Sequence, residues 1–182
     1  MEMLMIVILV IIIIVCLISI FYASIYNKFQ DYIIRINEVE SIIDKNLRNK
    51  YDLINRMIPI IKGNIDKDKD MFEEIIKIRS RKISNFELYR ILMQSSIQLS
   101  SLKKEFPDIN KSDEIKKLTK QIEDIDSKIE NYIDYYNDNI TIYNTLVKKF
   151  PSNLIALFSK YKEKLFFDRK DMSDDDYNDF KL

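Results

Sequence analysis

"DEIKKLTKQIEDIDSKIENYIDYYNDNITIYNTLVKKF", Asp113 to Phe150, contains no glycine and no proline. Its apolar track runs Ile115, Leu118, Ile122, Ile125, Ile129, Ile133, Tyr136, Ile140, Tyr143, Val147 and Phe150. Steps alternating between three and four hold these residues on one face of a single helix. The step from Ile125 to Ile129 to Ile133 is four and four. That is a small phase slip in an otherwise heptad-like seam. Asn110 and Ser112 are both good caps for its start, Pro151 stops it, and at 1.5 Å per residue it is about 57 Å long. A Tyr-Asn pair recurs seven residues apart, Tyr136-Asn137 and then Tyr143-Asn144, so both pairs share a face. Tyr136, Tyr143 and Phe150 read as core residues. Asn137 and Asn144 lie one position round, placed to hydrogen-bond to a neighbouring helix.

Outward from this stretch the same grammar holds. Ser84 with Glu87 forms a capping box, and Ile83 with Leu88 a hydrophobic staple. The track that follows is Leu88, Leu92, Ser95, Leu99, Leu102 and Phe106, ended by Pro107. Further upstream, Ile36, Val39, Ile43, Leu47, Ile54, Ile58 and Ile61 mark another helix, which Pro59 is expected to kink. Gly63 is expected to end that helix or to allow a close crossing. The run Asp66 to Asp70, DKDKD, reads as a solvated face or turn, and Met71, Phe72, Ile75, Ile76 and Ile78 restart the helical pattern. After Pro151 a short amphipathic segment carries Leu154, Ile155, Leu157, Phe158, Tyr161 and Leu165. The tail from residue 168 to 182, with Asp174-Asp175-Asp176, lacks an apolar track and is expected to be disordered.

Composition agrees with helices. One glycine and three prolines in 182 residues are too few turn residues for a sandwich, a barrel or a doubly wound sheet. Lys plus Arg balance Asp plus Glu at 29 each, which gives no argument for nucleic acid. Histidine is absent, removing the commonest general base and metal ligand. With Cys16 the single cysteine, an intramolecular disulfide and a cysteine zinc site are excluded.

The segment LMIVILVIIIIVCLISIFYA, Leu4 to Ala23, is uncharged, and Ser19 is its one strongly polar member. About 20 helical residues cover the roughly 30 Å of a hydrocarbon core. Phe21, Tyr22 and Tyr26 fall where an interfacial aromatic belt sits. This reads as a transmembrane helix rather than a cleaved signal, because the run is long and no small-residue cleavage site follows. Val15 before Cys16 is too large for a lipoprotein box, so Cys16 reads as an apolar-like residue in the membrane. Lys28 and Arg35 follow the span, which favours the N-terminus outside and the following domain in the cytoplasm.

Three segments resemble the LemA family. They are "IIDKNLRNKYDLINRMIPIIKG" (residues 42–63), with Asp52-Leu53-Ile54 and Lys62-Gly63; "FPD" (106–108), around Pro107; and "YNDNITIYNTLVKKFPSNLIA" (136–156), which adds Phe150, Pro151 and Asn153 to the two Tyr-Asn pairs. There are departures. Asn55 stands where the family places a proline after Asp-Leu-Ile, and the proline lies a turn later at Pro59. Asn64 and Asp66 to Asp68 replace a tyrosine and a nearby histidine, and Tyr135 replaces a basic residue. The resemblance, which covers most of residues 1–167, implies an all-α protein of the bacterial cell envelope: a single N-terminal transmembrane helix (4–23), after a short end (1–3), followed by an antiparallel four-helix bundle (24–167), with the tail (168–182) beyond it. It implies no reaction and no cofactor. It points to membrane peptidases or other envelope proteins as partners.

The expected role is therefore a membrane-tethered, non-catalytic interaction module that docks a protein by an exposed helix face or by the short last helix. Asp52, beside Leu53 and Ile54, is expected either to be partly buried and paired with Lys62, Arg56 or a tyrosine hydroxyl, or to be solvated. Two alternatives carry other expectations. A coiled-coil scaffold would zipper with other chains, although Pro107 and Pro151 favour folding back within one chain. A carboxylate-metal enzyme would use Glu123, Asp126 and Glu130 from one helix face, but di-iron bundles add histidines that this chain lacks.

Overall fold

The structure is a computed structural model that describes residues 1–64, 75 and 83–167. Among the described residues every regular element is helical and there is no strand. The elements are α1 (Glu2–Asn64), α2 (Asn85–Glu105), a 3-10 turn (Pro107–Lys111), α3 (Asp113–Lys148) and α4 (Ser152–Ser159). The charged run 66–70, the restart from Met71 to Ile78 apart from Ile75, and the tail 168–182 lie outside the described residues. Ile75 is buried.

α1 is unbroken because nothing before Pro59 interrupts it. Its first part is long and apolar enough to cross a membrane, and side chains from Leu4 to Ile20 are exposed. The one polar side chain there is satisfied locally, since the Ser19 hydroxyl donates to the Val15 carbonyl at 2.8 Å. The helix continues through the exposed Pro59 to Asn64. Gly63 lies within its last turn, and a Cβ there would meet nothing within 4 Å among the described residues.

The caps explain the other boundaries. Ser84 Oγ accepts from the Glu87 amide at 3.1 Å and starts α2. Asn110 does not start α3; its side-chain amide donates to the Lys103 carbonyl near the end of α2. Ser112 starts α3, accepting from the Ile115 amide at 3.4 Å. α3 stops at Lys148, two residues earlier than the track implies. Proline disfavours the helical conformation in the residue before it, so Phe150 leaves the helix and the seam. It is 78% exposed, which corrects its expected core role. The peptide between Phe150 and Pro151 is cis.

The chain divides into two compact units. The first holds Met1–Asp44 and Glu130–Leu165. Its core gathers Ile25, Phe29, Ile36, Ile140, Tyr143, Ile155 and Ala156, with Tyr32, Tyr136 and Tyr161 packed against it. The second holds the described residues from Lys45 to Ile129, with Phe166 and Phe167. Its buried residues are mostly aliphatic: Leu47, Ile54, Met57, Leu92, Leu99, Ile115, Leu118 and Ile122 among them. The rings of Phe86 and Tyr89 meet Phe167 edge-on, with centroids 5.7 and 5.5 Å away.

Candidate functional site

In the first unit the Tyr-Asn stretch holds down the segment that follows α4. Lys160 ends α4 in the left-handed region at φ 57°. The Tyr161 amide then reaches the Ala156 carbonyl at 2.9 Å and the Lys160 amide the Leu157 carbonyl at 3.2 Å. This is a Schellman closure with lysine where glycine is usual. It turns the chain back, and Tyr161 lands on Phe29 (centroids 4.7 Å) while Tyr143 meets the same ring edge-on at 5.7 Å. The Gln30 amide donates to the Tyr161 hydroxyl at 2.6 Å.

Buried Asn144 fixes the next residues. Its Nδ2 donates to the Lys164 carbonyl and its Oδ1 accepts from the Lys164 amide, both at 2.9 Å. One side chain thus satisfies both backbone groups of a residue outside any regular element. The partner is this returning segment, not the neighbouring helix the sequence implied. Lys148 and Glu163 add an exposed ion pair at 2.8 Å.

Tyr143 is in the core as expected, while Tyr136 and Asn137 are half-buried. Burial first, and then Glu40, hold the Tyr136 hydroxyl above its ordinary pKa. Burial alone raises Tyr143. Burial and then the Tyr26 hydroxyl raise Tyr161, with Gln30 pulling the other way. Pro151 is half-buried. The Asn153 Oδ1 is buried without a hydrogen-bond partner among the described residues.

In the second unit Asp52 is exposed rather than buried. It lines a groove of about 320 Å³ with Leu53 and Arg56 from α1 and Asp124, Ile125 and Lys128 from α3. The four charges balance around two aliphatic side chains. Ile54, one position round, is fully buried. Lys62 is half-buried in the last turn of α1, where a cation suits the helix dipole. Pro107 opens the 3-10 turn, and Asp108 pairs with Lys111 at 2.6 Å. That contact lowers the Asp108 pKa and raises that of Lys111, first through the hydrogen bond and then through charge.

Beside the groove lies a pair the sequence reading did not single out. Lys50 is 1% exposed and its Nζ sits 2.6 Å from Asp126 Oδ1. The signal was present. Lys50 falls between Leu47 and Ile54 at steps of three and four, a cation in an apolar seam. Asp126 sits at the phase slip, where Ile125 is only half-buried. Asp126 is held by Lys50, and Glu123 and Glu130 are exposed. Among the described residues no three His, Cys, Asp or Glu side chains group as metal ligands.

Residues 39–178 match the sequence model of the LemA family. The match begins inside α1, beyond the apolar run. No curated protein matches the chain.

Proposed function

Because the chain belongs to the LemA family, we propose that it is a single-pass membrane protein whose antiparallel four-helix bundle holds a protein partner at the cell membrane without catalysing a reaction. Within the first unit Phe29 meets Tyr143 and Glu40 acts on Tyr136, so rising α1 numbers meet falling α3 numbers. Within the second unit Lys50 meets Asp126, while Met57 shares a small cavity with Thr119 and Ile122. Both sets of contacts support helices running in opposite directions. Lys28 and Arg35 after the span favour a cytoplasmic bundle. The family resemblance offers membrane peptidases and other envelope proteins as the class of partner.

The observation that carries the interaction reading is the groove at Asp52. Asp52, Asp124, Arg56 and Lys128 frame Leu53 and Ile125 in an open cleft. Charges so placed suit recognition and register, because a partner must present the opposite pattern to cover them. A photocrosslinker at Leu53 of the full chain in cells tests this. Discrete adducts that vanish when Asp52 and Asp124 are both changed to lysine are expected. Adducts that persist unchanged would remove the groove from the reading. Protease treatment of intact cells, following a C-terminal epitope, tests the orientation. Digestion before the membrane is breached would place the bundle outside.

A further inference from the structure

α4 leaves its larger apolar side uncovered. Ser152, Ile155 and Ala156 are buried, whereas Leu154, Leu157 and Phe158 are 48%, 74% and 78% exposed, and Phe150 beside them is 78% exposed. The segment therefore buries Ile155 with the small Ser152 and Ala156 and turns Leu154, Leu157 and Phe158 outward. Four large apolar side chains within nine consecutive positions form a patch that needs an occupant.

The first unit fixes where that patch lies. Going up α1 towards the apolar run, Phe29 meets Tyr143 of α3, Tyr26 lies 6.2 Å from Tyr161, and Tyr22 reaches Ser159 with hydroxyls 3.4 Å apart. Beyond α4 the chain returns the other way, with Tyr161 on Phe29 and Lys164 on Asn144. So within the first unit α4 is the point where the chain turns back, level with the last aromatic residues of the apolar run. The surroundings are basic. Lys148, Lys149, Lys160, Lys162 and Lys164 stand against the single Glu163 between residues 148 and 164, in a chain of zero net charge.

We propose that α4 is a second membrane attachment: Phe150, Leu154, Leu157 and Phe158 insert into the interface of the same bilayer that residues 4–23 cross, and the flanking lysines select anionic headgroups. This rests on the reading of residues 4–23 as a span. An interfacial helix of this kind combines large apolar side chains with a lysine-rich polar side. The stacked Tyr22 and Tyr26 supply the aromatic belt at the same level. A protein partner would also cover an apolar patch, but α4's attachment beside Tyr22 brings lipid to it whenever the span is inserted.

The chain contains no tryptophan, so single tryptophans report position cleanly. Full-length Phe158→Trp, Ile12→Trp and Tyr135→Trp variants are reconstituted into phosphatidylcholine–phosphatidylglycerol vesicles with brominated acyl chains. Phe158→Trp is expected to lose about half its fluorescence to bromines near the headgroup, as an interfacial residue would. Ile12→Trp is expected to be quenched most by bromines deep in the chain, and Tyr135→Trp, exposed on α3, not at all. Quenched Ile12→Trp with unquenched Phe158→Trp overturns the proposal and leaves the span intact. Unquenched Ile12→Trp removes the span and the proposal with it. Equal quenching of Phe158→Trp and Tyr135→Trp also overturns it, because the whole unit would then lie on the lipid. Undiminished quenching of Phe158→Trp in phosphatidylcholine alone overturns the choice of anionic lipid.

Discussion

Around Phe29, α1 is gripped by rings; around Lys50, further along the same helix, it is gripped by a charge. In the first unit Tyr143 and Tyr161 close on Phe29, and Asn144 clamps the Lys164 backbone. Among the described residues of the second unit the seam is mostly aliphatic, and it carries the charge pair of Lys50 with Asp126. The difference teaches that one heptad-like pattern supports two kinds of specificity. Aromatic packing fixes a returning segment that has no helix of its own. A buried lysine paired with a partly exposed aspartate interrupts a seam of interchangeable aliphatic residues, which by themselves tolerate sliding.

The largest expected effect is at the rings. Phe29→Ala removes the side chain on which both tyrosines rest, and a loss of about 4 kcal/mol is expected in urea unfolding of the full chain in detergent. A loss below that of a surface substitution would show that the rings are not what holds this unit. Asp126→Ala comes next, at about 3 kcal/mol, because it strands the Lys50 ammonium in the core. Lys50→Met is expected to be close to neutral, since Asp126 is partly exposed and can turn to water while methionine fills the seam. Equal costs for the two would overturn this asymmetry.

Asn144→Ala is expected to cost about 2 kcal/mol, because the Lys164 amide and carbonyl both lose their partner. Hydrogen exchange should quicken at residues 161–165 while α2 is unaffected. Lys160→Gly has the opposite sign: it relieves a left-handed lysine, partly offset by a more flexible unfolded chain, for a net gain of about 0.5 kcal/mol. No gain would mean the cap is already relaxed.

The smallest effect concerns pH. Tyr136, Tyr143 and Tyr161 all have pKa values raised above the ordinary 10.0 in the folded chain. Their protonated forms favour the fold, so this stability is fully present below pH 10.0 and is lost as pH rises through the higher folded values. Tyr136→Phe should flatten that decline. An unchanged alkaline profile would dissociate the decline from this ring.

The predicted core of α2 shows how much is legible without a fold. Leu88, Leu92, Ser95, Leu99 and Leu102 are all buried, since period and cap alone fix which face turns inward. The same logic placed α3 and the apolar run. It misassigned Phe150 because periodicity does not register where the last turn breaks. It passed over Lys50 because hydrophobic counting skips a cation whose partner lies far away in sequence. Asp52 was legible as a candidate but not as an exposed one: its exposure depends on which face of α1 meets α3.

By itself, then, the sequence determined the helical class, the helix start at Ser84, the apolar run and the family likeness, because local periodicity, caps and composition act over a turn or two; between Asn110 and Ser112 as the start of α3 the structure chose Ser112. The tertiary structure decided the clamp of Asn144 on Lys164, the Lys50–Asp126 pair and the outward face of α4. Each of these joins residues distant in the chain, and the free energy of such contacts exists only once both partners are brought together.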